Sequence, residues 1–229
     1  MPFNQPAFNA GARASLPVLL GVVPFGVICG VAMVASGIPP LLAMLMSLLV
    51  FAGASMVASA QLLASGTPAL LVIAATLIIN MRFTMYSASL RPYFADQPFG
   101  WRLVLSYFVA DNAYGICLSR FADHPDDPAK REFFLGAATP IWLAWQLAVL
   151  AGIVIGAGVP ASWRLEFAAP LAFIAMSVPF LRDRATIAAA LAAGITVVAA
   201  NDLPLRLAVI AAAAVGIAVG LLLDKRRPA

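Results

Sequence analysis

The sequence predicts an all-α fold, a polytopic bundle of about eight transmembrane helices, and three observations support this prediction. Apolar residues make up 63% of the 229 residues and charged residues only 10%, whereas soluble proteins average about 45–50% and about 25%. Residues 14–81 contain no charged side chain, and one helical crossing takes about 20 residues. The apolar segments also lack the alternating pattern of a membrane β-barrel. The composition therefore argues against a water-soluble enzyme.

Eight apolar segments are expected to form the spans of one membrane domain that covers residues 1–229. Because a helix satisfies its own backbone hydrogen bonds in lipid, each segment is expected to be helical. The first is too long for the apolar region of a signal peptide and is expected to be retained. The sixth and seventh are short, so seven spans with a re-entrant piece is the alternative. The segments run over 15–36, 40–64, 67–90, 101–121, 132–157, 164–181, 183–200 and 203–223.

The distribution of cationic side chains predicts the orientation of these spans. With eight spans both termini share one side, and that side holds nine cations, namely Arg13, Arg120, Lys130, Arg131, Arg182, Arg184, Lys225, Arg226 and Arg227. The opposite side holds four, Arg91, Arg102, Arg164 and Arg206. Since cytoplasmic loops are enriched in Lys and Arg, both termini are expected in the cytoplasm.

Two further patterns concern how the helices pack. The segment 40–47 resembles the segment 170–177, which is weak evidence for the repeated halves common in transporters. Pairs of glycines four residues apart allow helix backbones to approach closely. They favour packing either within the chain or against another membrane subunit, and they are Gly26/Gly30, Gly152/Gly156 and Gly216/Gly220.

Polar residues deep within the third and fourth segments are the candidate site. Arg82 lies eight residues from the end of the third segment, and Asp111 lies ten residues from the start of the fourth. At about 1.5 Å per residue their depths differ by only about 3 Å, so the two charges are expected to meet. The pair either fixes helix register or holds a zwitterionic substrate, with Arg82 on the carboxylate. Nearby candidates for the remaining hydrogen bonds are Asn80, Tyr86, Asn112 and Tyr114.

The second segment contributes Gly53 and Ser55 to the candidate site. Small residues there could interrupt the helix and offer backbone groups to a ligand, or they could simply allow close packing. Trp142 and Trp145 lie near the middle of the fifth segment, where they form either packing contacts or an apolar wall for a substrate. No catalytic residue, cofactor or metal site is expected, because the cysteines lie in apolar segments and the single histidine lies in a polar loop.

Three of these motifs resemble one known family. Phe51-Ala-Gly-Ala-Ser, Asn80-Met-Arg-x-x-x-Tyr-Ser and Asp111-x-x-Tyr resemble the AzlC family, the large subunits of bacterial branched-chain amino acid exporters. The likeness is clearest from Gly11 to Gly115. It implies export of leucine, isoleucine, valine and their analogues across the bacterial inner membrane. It also implies a short hydrophobic partner, AzlD, and drive by the proton motive force.

Two residues depart from the pattern of that family. Met56 stands where the family usually has glutamine, and Asn112 stands where it usually has an acidic residue. The substrate could therefore be a different small apolar metabolite. A passive channel is a second hypothesis for the function, and a non-transporting membrane scaffold is a third. Polar residues clustered at one depth favour an alternating-access site over the continuous polar file of a channel.

Overall fold

A computed structural model describes residues 3–158, 181, 183–200 and 207–224, and these residues form helices and connecting turns without a strand. The predicted all-helical membrane bundle is confirmed. The chain divides into two compact units, Met1–Ala172 and Phe173–Ala229. In the first unit the helices are α1 Gln5–Ala35, α2 Pro40–Val50, α3 Gly53–Ala64, α4 Ala69–Asn80, α5 Arg82–Phe94, α6 Phe99–Tyr107, α7 Asp111–Asp123 and α8 Lys130–Gly158. In the second they are α9 Arg184–Ala199 and α10 Leu207–Asp224.

Helices α1 and α8 run parallel and form the centre of the first unit. A Cβ atom added at Gly11 would lie 2.1 Å from the carbonyl oxygen of Phe133, and one added at Gly30 would lie 2.3 Å from that of Val149. Both helices therefore begin at one end of the bundle, here called the near end, and finish at the far end. Backbones this close require glycine at the contact. The Gly26/Gly30 and Gly152/Gly156 pairs thus pack within the chain.

Helices α6 and α7 fold back on each other and return to the near end. The ring of Trp101, in the first turn of α6, lies 4.7 Å from the guanidinium of Arg131 in the first turn of α8. Near the end of α7, the ring of Phe121 lies 6.2 Å from that of Phe133, which is also at the start of α8. Both outer ends of the pair thus lie at the same end of the bundle, and residues 108–110 form its tip.

Helices α2 and α3 form a matching hairpin that enters from the far end. The hairpin follows the end of α1, and Leu63 near its other end lines the same far-end groove as Gly37 and Pro39. Its tip at Phe51 and Ala52 reaches the middle of the bundle, because Ser47 bonds Gln146 halfway along α8. Glycines with positive φ occupy the turns on both sides of this hairpin, at Gly37 (82°) and Gly66 (71°).

Between the two hairpins, α4 and α5 cross the bundle from the far end to the near end. Ser59 of α3 and Thr76 of α4 share a hydrogen bond of 2.7 Å, so α4 returns alongside α3. Met81, still in a right-handed helical conformation, joins α4 to α5. At the near end Phe94 of α5 packs against Phe134 of α8 with ring centroids 5.5 Å apart.

The first seven helices form two repeats of opposite direction. In each repeat one long crossing is followed by a hairpin of short helices, first α1 with α2–α3 and then α4–α5 with α6–α7. The N-cap residue of the first helix is a proline in both hairpins, Pro39 in one and Pro98 in the other. The second helix of each hairpin follows an alanine with an extended backbone, Ala52 or Ala110. Inverted repeats with interrupted helices are a common architecture of transporters. The sequence match between 40–47 and 170–177 does not correspond to these two repeats. The segment 170–177 lies outside the described residues.

This architecture corrects two of the predicted spans. Segments 40–64 and 101–121 are each a pair of short helices instead of one continuous span. Their length and apolarity suit a span, but at the tip of the first pair side chains from other helices cap the interrupted backbone of α2. Among the described residues three helices are long and apolar enough to cross a membrane, Gln5–Ala35, Ala69–Phe94 and Lys130–Gly158. The predicted segment 164–181 lies outside the described residues except for Leu181.

The hairpin topology also moves two cations relative to the sequence prediction. Arg91 and Arg102 belong to α5 and α6 at the near end, together with the start of α1 and α8, instead of at the opposite side. Within residues 3–158 the other cations apart from Arg82 lie toward the same end, namely Arg13, Arg120, Lys130 and Arg131.

The described part of the second unit, residues 183–200 and 207–224, contains an antiparallel pair of helices. The Asp183 side chain accepts a hydrogen bond from the backbone of Thr186 and caps the start of α9. A Cβ added at Gly216 of α10 would lie 3.1 Å from that of Ala193. The third predicted glycine pair thus packs within the chain as well, as small residues at helix interfaces do.

Candidate functional site

The predicted meeting of Arg82 and Asp111 is confirmed. Arg82 Nη1 lies 2.9 Å from Asp111 Oδ2. Each residue is the first of a helix that begins at mid-depth, α5 for Arg82 and α7 for Asp111, and both helices run from there to the near end. Counting residues predicted this contact because the depths of Arg82 and Asp111 were both counted from residues 95–98, the turn that connects α5 and α6. The side chains are 28% and 44% exposed in the chain, so the pair is half-buried instead of deeply buried.

Two tyrosines stack one helical turn from these charges. The rings of Tyr86 and Tyr114 are 4.3 Å apart at an angle of 20°. Tyr86 follows Arg82 by four residues and Tyr114 follows Asp111 by three, so each tyrosine lies on the same helix face as the nearby charge. The Asp111 carboxylate also interacts with the Tyr86 hydroxyl. The structure therefore brings four predicted site residues into one cluster, here called the Arg82 cluster.

Three buried polar side-chain atoms have no hydrogen-bond partner among the described residues. They are Arg82 Nε in the cluster, Asn80 Oδ1 two residues earlier in the chain, and Arg120 Nε toward the near end. A buried polar group without a partner costs about 1–3 kcal/mol, so such groups require an explanation, and a missing ligand is one. Asn112, by contrast, is exposed and makes no hydrogen bond to a described residue. The binding roles of Asn80 and Asn112 both stay predictions.

Comparison with known proteins decides the family. The AzlC family model, described as AzlC protein, matches residues 17–159, which is more than half of the chain. The chain belongs to the AzlC family. The match contains both hairpins, the Arg82 cluster and all of α8, and thus extends beyond the region in which the motifs are clearest. No curated protein and no solved structure matches the chain.

In this AzlC family protein Gly53 and Ser55 lie at the start of α3, at the tip of the α2–α3 hairpin. A Cβ at Gly53 would lie 2.5 Å from ring atoms of both Phe25 and Trp145. The hydroxyl of Ser55 is fully buried and donates to the carbonyl oxygen of Ala52 at 3.0 Å. Close packing therefore accounts for both residues. Met56 is also buried, with 1% exposure, so its side chain is part of the packed core.

The tips of the two hairpins meet through a hydrogen-bond network that sequence reasoning missed. The last carbonyl groups of α2 lack partners within the helix. The hydroxyl of Tyr107, at the tip of α6–α7, donates to the carbonyl oxygen of Leu48 at 2.7 Å, and the indole of Trp142 donates to that hydroxyl at 3.0 Å. An interrupted helix end is thus satisfied by side chains from α6 and α8.

Ser47, Trp145 and Gln146 complete this network inside the bundle. The Gln146 amide donates to the carbonyl oxygen of Ser47 at 3.3 Å, and its oxygen accepts from the Ser47 hydroxyl at 2.8 Å. Trp145 donates to the same hydroxyl at 3.0 Å. Both tryptophans predicted to be either packing residues or a substrate wall are therefore engaged in packing and hydrogen bonding. A lone amide such as Gln146 inside an apolar span was the available signal, because such groups need a buried partner.

The Arg82 cluster can bind a small molecule with two opposite charges. Arg82 presents a planar fork that matches a carboxylate, and Asp111 presents a carboxylate that matches an ammonium group. The pair is close enough to be satisfied without ligand and exposed enough to exchange partners. The AzlC family is a family of transporter-type membrane proteins, and a charged site at mid-depth between interrupted helices is typical of transporters.

Proposed function

We propose that this AzlC family protein is a transporter subunit that exports branched-chain or other apolar amino acids, working with a small AzlD-like membrane partner. The observation that supports it best is the half-buried Arg82–Asp111 pair, with the unpartnered Asn80 Oδ1 two residues before Arg82 in the chain. A free amino acid is a zwitterion, so its carboxylate replaces Asp111 at Arg82 while its ammonium group binds Asp111. The two charges then compensate each other in the empty site and bind substrate in the loaded one.

A passive channel is the alternative, as is export of a different small apolar metabolite. The charged side chains favour a transporter, because within residues 3–158 only Arg82 and Asp111 lie at mid-depth and the others lie toward the near end instead of forming a file along several helices. Saturable exchange distinguishes the two, since a channel shows no acceleration of uptake by substrate on the other side. The protein purified together with its small partner, in liposomes loaded with leucine, should take up labelled leucine faster than the same complex in empty liposomes does.

The role of the ion pair is tested by a double substitution. Arg82→Ala leaves Asp111 without its partner, and the double variant Arg82→Ala/Asp111→Ala removes both charges. If the pair binds substrate, the double variant is expected to fold but not to transport. The matched control is the near-end pair Arg120–Asp127, with an N–O distance of 3.2 Å; removing both of its charges should leave exchange intact. Normal exchange by the Arg82/Asp111 double variant would exclude the pair from the site.

Arg82→Lys tests how the carboxylate is held. Lysine keeps the positive charge but loses the planar fork that binds a carboxylate through two parallel hydrogen bonds. We expect the Lys variant to fold like the native protein and to exchange leucine with a raised KM. An unchanged KM would show that the charge alone suffices.

The proposed location is the bacterial inner membrane with the near end in the cytoplasm. Within residues 3–158 the cations other than Arg82 gather toward the near end, and Lys and Arg are enriched on the cytoplasmic side of membrane proteins. The N-terminus would then be cytoplasmic, as the sequence predicts, and the cytoplasmic C-terminus stays a prediction.

The proposed partner is supported by the surface of the α4–α5 crossing. Of its most apolar window only 6% is buried by the chain, compared with 33% for α1 and 44% for α8. Since the glycine pairs pack within the chain, this crossing is a better candidate for subunit contact than they are. A short hydrophobic subunit encoded nearby should copurify in mild detergent. Full exchange activity of this chain alone in liposomes would overturn the requirement for a partner.

A further inference from the structure

A cavity of about 260 Å³ lies between α5, α6 and α8, separate from the Arg82–Asp111 contact. It is smaller than the roughly 300–1,000 Å³ of drug-sized pockets, so it suits a small solute. Its floor is apolar and buried, formed in part by Leu90, Leu105 and Phe134. Arg91 and Arg102, both exposed, form its rim.

The rim carries positive charge that no acidic group among the described residues pairs with. Arg91 and Arg102 form no ion pair with a described residue, and no acidic side chain lines the cavity. The Arg102 guanidinium faces the ring of Phe99, with its carbon 5.9 Å from the ring centroid. Two unpaired guanidinium groups above an apolar floor are complementary to a carboxylate with an apolar tail.

The position of the cavity connects it with the Arg82 cluster. Its mouth is at the near end, where Arg102 follows the first turn of α6. Its inner wall includes Val109, two residues before Asp111, and Ser87, five residues after Arg82. The inner wall therefore lies about one helical turn from the ion pair, and a solute held at the rim lies about two to three turns from it.

We propose that this cavity is a second binding site, a near-end entry site that binds the carboxylate of a small apolar acid or amino acid before it reaches the Arg82 cluster. The proposal deepens the proposed function, on which its transport role rests, but its ligand chemistry can be tested independently. Because the rim offers cations and no anion, the entry site requires a carboxylate and not an ammonium group. The Arg82 cluster, with one charge of each sign, binds both groups.

The binding test uses two labelled probes of similar size, 4-methylpentanoate and isoamylamine, with the full chain purified in detergent. Equilibrium dialysis should detect 4-methylpentanoate and little isoamylamine. Each Arg→Gln change at Arg91 or Arg102 is expected to weaken 4-methylpentanoate binding about tenfold, the value of one charge-assisted hydrogen bond. Arg91→Lys and Arg102→Lys keep the charge and should retain most of the binding.

Two controls separate the entry site from the rest of the protein. Arg13→Gln removes another exposed near-end cation that does not line the cavity, and it should leave 4-methylpentanoate binding unchanged. Lys130→Gln removes a second near-end cation that does not line the cavity and should also leave it unchanged. Unaltered 4-methylpentanoate binding in the double variant Arg91→Gln/Arg102→Gln, or amine binding that this variant weakens equally, would overturn the entry site.

Transport kinetics then separate this proposal from the proposed function. If both hold, Arg91→Gln/Arg102→Gln should raise the KM for leucine applied from the near end at least about tenfold and leave the maximal rate unchanged. Carboxylate binding at the rim without any leucine exchange would retain the entry site and reject amino acid export. Leucine exchange with an unchanged near-end KM would reject the entry site and retain export.

Discussion

Replacing Gly30 of α1 by alanine is expected to destabilise the protein by forcing α1 and α8 apart. The new Cβ would lie 2.3 Å from the carbonyl oxygen of Val149 and 2.8 Å from the backbone nitrogen of Ile153, whereas ordinary contacts are 3.4–4 Å. Both neighbours are backbone atoms, which cannot rotate away as a side chain can. The two helices must therefore separate by about 1 Å locally, and overpacking of this kind costs about 1–3 kcal/mol.

Gly21 on the same helix is the matched control. A Cβ there meets nothing within 4 Å, so Gly21→Ala has the same gain in helix propensity, about 1 kcal/mol, without the clash. The difference between the two variants isolates the α1–α8 contact. Since 1 kcal/mol shifts the melting temperature of a chain of this size by about 2–4 °C, Gly30→Ala should melt roughly 2–12 °C below Gly21→Ala.

Thermal unfolding of both variants in the same detergent measures this difference, with intrinsic tryptophan fluorescence as the signal. Trp142 and Trp145 lie in α8 and should report on its packing. Equal melting temperatures for Gly30→Ala and Gly21→Ala would refute the close parallel contact of α1 and α8. Since both hairpins are positioned against α8, that result would also remove the basis for their placement.

Three further predictions concern the hairpins and the partner. Cysteines introduced at Ser36 and Ser65 should react with an impermeant thiol reagent from the same side of the membrane, whereas an uninterrupted span over 40–64 would place them on opposite sides. Tyr107→Phe removes the hydroxyl that joins the two hairpin tips and should cost about 1–3 kcal/mol in unfolding free energy, while Tyr93→Phe, whose hydroxyl makes no hydrogen bond to a described residue, should cost little. Coexpression with an AzlD-like subunit should protect a cysteine placed at Leu77 of α4 from an apolar maleimide, and equal labelling with and without the subunit would argue against docking on α4–α5.

The sequence predicted which residues are helical more reliably than it predicted which helices cross. Apolarity and turn residues located most helix ends to within a few residues, as at Pro39 and Pro98. They could not distinguish one crossing from two short helices that fold back, because the segments 40–64 and 101–121 are long and apolar enough for either. The hairpin conformation of 40–64 depends on the hydrogen bonds that Tyr107 and Gln146 donate to the last carbonyl groups of α2, and both residues are far from α2 in sequence.

The candidate site was predictable where it depended on local depth. Arg82 and Asp111 lie at similar distances from the single turn that connects their segments, so their contact followed from counting residues. Gly53 and Ser55 were proposed from composition alone, and composition does not distinguish a ligand-binding break from close packing against Phe25. The cavity rim formed by Arg91 and Arg102 was not predicted from the sequence. A single crossing helix over 101–121 places both residues at the membrane surface instead of at a cleft between helices.

The two hairpins differ in how they are attached to the rest of the protein, and this difference has a mechanical consequence. Helices α1 and α8 touch through their backbones, so they can slide past each other only by breaking that contact and behave as one rigid body. The α6–α7 hairpin is held to this body by the contact of Trp101 with Arg131 and by aromatic packing at Phe121. The α2–α3 hairpin is joined to its neighbours through Gly37 and Gly66, whose backbone angles can change at little steric cost. A rotation of the α2–α3 hairpin about these two glycines would still have to break its hydrogen bonds with Tyr107, Trp145 and Gln146, so these bonds set the energetic cost of moving the hairpin.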